Sequence, residues 1–214
     1  MNTLRKDRIH VLSAEDAKTL LKPYLDLTRD CITGGWQAWK KFSEVAPDLV
    51  APLSKRSRAS FVYDHIAFAV QSKFDGLNAV SVRDKGGFLT LEIEGDEANA
   101  LLRFKKLDGK MRGRNYQTRQ QVLFTLQLTL PGWPADATRL VAGYQLDTPE
   151  VDIDQLLITC PIGRKVEWYF GIDEGEGKVV QIPSAPSAPA APFVPKETKV
   201  IAKGVKKAES EDGQ

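Results

Sequence analysis

The sequence predicts an α+β fold: a mostly antiparallel or mixed sheet of about six strands with helices packed on one face. Three observations lead there. Apolar residues recur at helical spacing through the first third of the chain. The period then changes to alternation in short segments bounded by turns that contain glycine. Most of these segments follow one another across only a short turn, which favours hairpins and antiparallel pairing.

Ser13 ahead of Ala14-Glu15-Asp16 reads as an N-cap followed by an acidic first turn. Ala17, Leu20, Leu21 and Leu25 then keep a helical period, and Pro23 predicts a kink among them. Gly34-Gly35 predicts a break, followed by a short helix whose Trp36, Trp39 and Phe42 make a core stripe. Residues 48–52 read as a loop. A long helix is predicted over 54–74, with Phe61, Ile66, Phe68, Ala69 and Val70 facing inward.

Alternation begins at 77–83, and Lys85-Gly86-Gly87 predicts a hairpin turn into a strand over 88–94. Gly95-Asp96-Glu97 turns the chain into a third strand over 98–106, which Asp108-Gly109 ends. A helix is predicted over 117–128 and is stopped by Leu130-Pro131-Gly132-Trp133-Pro134. Three further strands are predicted over 139–146, 153–160 and 165–170, with Gly163 in the turn between the last two.

From Pro183 the composition changes, with prolines at 183, 186, 189, 192 and 195. A period of three matches the three residues per turn of a polyproline II rod. Lysines and then acids follow, a mixture too poor in apolar residues to offset its ordering entropy. The chain therefore divides into an N-terminal helical segment (1–53), an α+β core (54–174) and a disordered Pro/Ala/Lys-rich tail (175–214).

The 214 residues are 42% hydrophobic and 27% charged, an ordinary globular balance. Cys31 and Cys160 form neither a disulfide framework nor a CxxC pair, and Cys160 reads as a small buried hydrophobe in an apolar strand. The first residues carry charge and lack the apolar run of a signal peptide. With no stretch near the roughly 18 apolar residues of a membrane span, a cytoplasmic location is expected.

A net charge of +2 argues little about partners, but its distribution does. Arg103, Lys105, Lys106, Lys110, Arg112, Arg114 and Arg119 stand against the single acid Asp108 in one short stretch. Lys55, Arg56 and Arg58 form a second basic cluster, while residues 147–178 are predominantly acidic. The first stretch suits phosphate contact, each contact releasing counterions, with Tyr116 placed to stack on a base. The other reading is pairing with acids of the same domain or of a partner protein.

The predicted order of helix, three strands, helix and strand is also the core order of the PD-(D/E)xK nuclease superfamily. That resemblance implies an acid on the second strand and an acid-x-Lys pair on the third, holding magnesium beside the scissile phosphate. Here Glu92 and Glu94 lie on the second strand, Lys105 or Lys106 on the third, and Gln120 and Gln121 on the following helix. Asp64 and His65 lie on the preceding helix. The catalytic set of that reading is Glu92, Glu94, Lys105, Asp64 and Gln120, with Glu92 and Asp108 as metal ligands. The third strand departs from the motif, because Arg103 and Phe104 stand two residues before Lys105 and Lys106. Magnesium enters only with this reading; otherwise no cofactor is expected. His10 and His65 lack metal-ligand spacing with a cysteine, and GxSxG, HExxH and GxxxxGK[ST] are absent from the sequence.

Finally, Leu102-Arg103-Phe104-Lys105-Lys106-Leu107-Asp108, Arg114-Asn115 and Thr118-Arg119-Gln120-Gln121 carry a family resemblance. Leu130-Pro131-Gly132, Gly143-Tyr144 with Asp147, and Val166-Glu167-Trp168 extend it, as do Arg58-Ala59 and Tyr63-Asp64-His65. Together they resemble an uncharacterised bacterial family encoded beside helix-turn-helix and zinc-peptidase-like regulators in toxin–antitoxin or phage-defence loci. The resemblance covers about residues 55–172 and implies a toxin-like effector held in check by an antitoxin-like regulatory protein. The expectation is thus an effector whose basic surface meets nucleic acid or an acidic partner. The alternatives are a divergent magnesium-dependent nuclease and a non-enzymatic DNA-associated or adaptor protein.

Overall fold

Helix α1 (Ala14–Leu21) starts where its cap was read: the Ser13 hydroxyl oxygen accepts the Asp16 N–H at 3.1 Å. The computed structural model describes residues 11–85, 87–96, 98–113, 118–172 and 180–181; the region from Pro183 lies outside them. Pro23 sits in a 3-10 turn (Lys22–Tyr24) that bends α1 into α2 (Leu25–Val45).

The expected break at Gly34-Gly35 does not occur, and α2 runs through both glycines. A Cβ at Gly35 would lie 2.5 Å from Ile66 Cγ1 and 3.0 Å from the Val62 carbonyl oxygen. The glycine therefore lets α2 lie close against α4 (Lys55–Phe74), and this packing offsets its poor helix propensity. Residues expected as a loop include one helical turn, α3 (Pro47–Val50). Ser54 caps α4, accepting the Ser57 N–H at 3.1 Å. Val62, Ile66, Val70 and Phe74 form the buried face of α4. Phe68 does not face inward: it is 72% exposed, because it lies two residues, about 200° of helical rotation, from Ile66.

The strands are β1 (Val80–Lys85), β2 (Phe88–Ile93), β3 (Ala100–Lys106), β4 (Thr138–Leu146), β5 (Ile153–Ile162), β6 (Lys165–Gly171) and β7 (Val180–Gln181). They lie in sequence order in one sheet. Every neighbouring pair is antiparallel except β3 and β4, which are parallel, so the sheet is mixed as expected. β7 falls inside the stretch read as tail, so paired structure reaches Gln181.

A parallel pair needs a crossover, here through α5 (Arg119–Thr125). The long helices cover one face of the sheet: Ile32, Trp36, Val62 and Ile66 pack with Leu91, Leu102, Leu140 and Ile158. α5 and the loop after it cover the other, where Phe124, Leu130 and Trp133 pack on Leu101, Val141 and Leu157. Gln127, fully buried with φ 55°, locks that loop to the sheet. Its amide donates to the carbonyls of Arg139 at 2.7 Å and Pro161 at 2.9 Å, and its oxygen accepts the Arg139 N–H at 2.9 Å. The N-terminal helices belong to the same core as the sheet. Trp168 donates its indole N–H to the Leu12 carbonyl at 3.0 Å, and Trp36 donates to Asp152 at 3.2 Å.

Candidate functional site

Because β3 and β4 run parallel, their carboxyl ends emerge together, and the chain leaves in different directions beyond them. Such ends leave a crevice in open sheets. A cleft of about 850 Å³ opens at this place, between the first turns of α4, the ends of β3 and β4, and the turn before β5. That volume lies within the usual range of ligand sites.

The two basic clusters read from the sequence meet here, Lys55 and Arg56 from α4 and Lys105 and Lys106 from β3. One acid gathers three cations. Glu150, held at φ 56° in the turn after β4, takes Lys106 and Lys55 on its carboxylate, each at 3.2 Å, and a close ion pair from Arg58. The Arg58 guanidinium also donates to the Glu150 carbonyl at 3.2 Å and lies 5.8 Å from the Trp36 ring centroid. Partial burial raises the Glu150 pKa, but the hydrogen bonds from Lys106, Lys55 and Arg58 outweigh it and hold the carboxyl at about 2. On the far wall Asp108 holds the Arg112 side chain at 2.8 Å and accepts the Lys110 and Arg112 N–H groups. These bonds outweigh its burial and keep its carboxyl below the ordinary range.

Lys105 differs from its neighbours. The β2–β3 ladder ends at Thr90–Arg103, and past that point Tyr63 of α4 reaches β2. The Tyr63 hydroxyl accepts the Leu89 N–H at 3.1 Å. Lys105 Nζ lies 5.3 Å from the Tyr63 ring centroid and 5.2 Å from that of Phe88. No ion pair to Lys105 is found among the described residues, although Asp64 lines the same cleft. Burial, then the nearby Arg103 cation, pushes its pKa down to about 8.

Arg103 is not a surface contact. Its side chain is 1% exposed, with its guanidinium 4.2 Å from the Phe124 ring centroid and 4.7 Å from that of Phe88. Nε donates to the Thr90 hydroxyl at 3.0 Å, and both terminal nitrogens lack hydrogen-bond partners among the described residues. Alternation places it inward, on the face that α5 seals. Lys110 and Arg119 are exposed, while Arg114 and Tyr116 lie outside the described residues. The expected continuous basic surface over 103–119 is therefore divided: one residue is buried, two are paired with acids, and Lys105 is enclosed by rings.

The nuclease set is not brought together either. Glu92 is 3% exposed and pairs with Arg83 at 2.7 Å. In register it stands opposite Leu101, four residues from Lys105, or about 13 Å at the rise of a strand. The β2 residue nearest the Lys105 amine is Phe88, not an acid. Glu94 is exposed just beyond β2, and Gln120 lies on α5. Asp64 and Asp108 do line the cleft with Lys105, but Asp108 is engaged by Arg112. Among the described residues no group of three His, Cys, Asp or Glu side chains is placed to hold a metal ion.

Sequence reasoning missed Glu150 and Tyr63 as site residues. The only local sign of Glu150 was its turn sequence, Asp147-Thr148-Pro149-Glu150; the cations it gathers come from two distant elements. No described helix is long and apolar enough to cross a membrane. In comparisons with protein-family models, curated proteins and solved structures, no match to this chain is found.

Proposed function

We propose that this protein is a nucleic-acid-binding, toxin-like effector of a toxin–antitoxin or phage-defence module, and that its cleft holds backbone phosphate without hydrolysing it. The observation that carries the reading is Lys105, an amine inside the cleft with no acid paired to it among the described residues. A partly desolvated cation without a counter-charge is costly, and a ligand phosphate supplies one. Lys55, Arg56 and Lys106 stand around the same space, so one strand can meet several cations. Binding rather than cleavage is proposed because no acid faces Lys105 from β2.

A second reading has an observation of its own. Glu150 already satisfies Lys55, Arg58 and Lys106, so a carboxylate fits this cation set. An acidic segment of an antitoxin-like regulatory protein would compete for the same place.

The test is fluorescence anisotropy with labelled single-stranded and duplex DNA and RNA. Three phosphate contacts predict roughly a 40-fold loss of affinity between 50 and 200 mM salt. Lys105→Ala weakens binding and lowers the salt slope by about one contact. No binding at 50 mM salt, or binding indifferent to Lys105→Ala, overturns the reading. Induced expression in a bacterial host tests the effector part: arrest by wild type and growth with Lys105→Ala is expected, whereas growth with both counts against it.

A further inference from the structure

At one edge of the sheet lies β1 (Val80–Lys85), and among the described residues no strand pairs with its outer side. Open edges are commonly blunted by proline, by a bulge or by charge. β1 contains neither proline nor glycine and pairs with β2 without a register shift. Its arginine does not guard the edge either. Arg83 turns back onto Glu92 at 2.7 Å and lies 5.5 Å from the Trp133 ring centroid. Which backbone groups face outward follows from one bond: Glu94 donates its N–H to the Ala79 carbonyl at 2.9 Å. Hydrogen-bonded pairs alternate along an antiparallel ladder, so Ser81 and Arg83 turn their backbone groups toward Glu92 and Thr90 of β2. Val80, Val82 and Asp84 turn theirs outward. The Leu89 N–H, which goes to Tyr63 and not to β1, keeps the same phase.

We propose that β1 pairs antiparallel with β1 of a second copy of this chain, about a two-fold axis through Val82, so that the two sheets become one. Such an interface uses one surface twice, and β1 is complementary to itself. Its outward residues are symmetric about Val82. In that register Val82 pairs with Val82 of the partner subunit, and Val80 with the partner's Asp84, each pair exchanging both backbone bonds. Between them Ser81 stands opposite the partner's Arg83, so no like charges meet. The neighbouring registers fit less well. One centred on Arg83 or Asp84 sets like charges directly opposite each other. One centred on Val80 or Ser81 carries the pairing past Val80 to Ala79, where a φ of 60° ends the strand. Val80 and Val82 are half-buried and pack against the main core, so the pairing also shields that side of the core from water. The proposal stands on the backbone of β1 and is independent of how the cleft is read.

Sedimentation equilibrium of the full chain over a wide concentration range comes first, and two chains per particle are expected. Amide exchange followed by NMR then reads the edge. The N–H groups of Val80, Val82 and Asp84 should be protected in the dimer and lose about tenfold in protection on dilution, while those of Ser81 and Arg83 stay protected throughout. Val82→Pro removes an outward N–H and no donor of the β1–β2 ladder, a place where an edge strand accepts proline. It should be monomeric with an unchanged circular dichroism spectrum. Ser81→Arg keeps every backbone group and sets two guanidinium groups opposite each other on either side of the axis. It should weaken the dimer about tenfold, and it decides the matter if the proline variant does not fold. A monomer at every concentration overturns the proposal. So does a dimer indifferent to Ser81→Arg, or one whose Val82 amide exchanges as fast as in the dilute chain, because the contact then lies elsewhere.

Discussion

The Tyr63 hydroxyl accepts the Leu89 N–H at 3.1 Å, filling the place where the β2–β3 ladder ends. One side chain from α4 thus satisfies a backbone group of the sheet and forms a wall beside Lys105.

Tyr63→Phe keeps the ring and removes the acceptor. Leu89 is buried, so its N–H is left without a partner, at a cost of about 1–3 kcal/mol. Urea unfolding should show that loss, and hydrogen exchange should show faster opening at Leu89 than at Leu91.

Arg103 carries a buried charge with two nitrogens that have no hydrogen-bond partner among the described residues. Arg103→Met removes the charge and fills much of the space between Phe88 and Phe124. Thr90 stays satisfied, since its hydroxyl already donates to the Phe88 carbonyl at 3.1 Å. Replacing buried charge by apolar volume is often neutral or stabilising, so the expected midpoint in urea is equal or higher. Arg103→Ala leaves a cavity and should cost about 2–4 kcal/mol. A larger loss for the methionine variant would show that the guanidinium is required.

Glu150 makes stability depend on acid. Its folded pKa of about 2 lies below the ordinary glutamate value of 4.5. Its contribution is therefore present above about 4.5 and lost as pH falls from there through about 2. Thermal unfolding followed between pH 6 and 2 should show this fall, and Glu150→Gln should flatten it. The same variant frees Lys55, Arg58 and Lys106 from their shared acid, so it should bind an anionic strand more tightly while unfolding more easily. Loss of both properties would identify Glu150 as part of the binding surface.

Gln127 makes three buried hydrogen bonds between the α5–β4 loop and the sheet. Gln127→Ala leaves the Arg139 N–H and two carbonyls without these partners and should cost about 2–4 kcal/mol in urea unfolding. A loss confined to α5 in hydrogen exchange would mark it as a local lock; a global loss would place it in the main cooperative unit.

The legible features were those written into neighbouring residues. The cap at Ser13 declared a helix start, because a hydroxyl three residues ahead of an N–H is a local relation. Gly34-Gly35 misled for the opposite reason: propensity points to a break, and only Ile66, from another helix, shows why a glycine is kept there. Phe68 misled because an apolar side chain carries no mark of which face will meet the core.

Alternation and turn chemistry sufficed for the α+β class, the order of elements and the mixed sheet of about six main strands, since these follow from nearest neighbours along the chain. The two basic clusters were visible as composition. Tertiary structure decided what each charge does. It buried Arg103 beneath α5, paired Lys106 and Lys55 through Glu150, and left Lys105 between two rings with no acid paired to it among the described residues. Charge in a sequence is a count, whereas its energy depends on distance and solvent, and both are fixed only when α4, β3 and the turn before β5 converge.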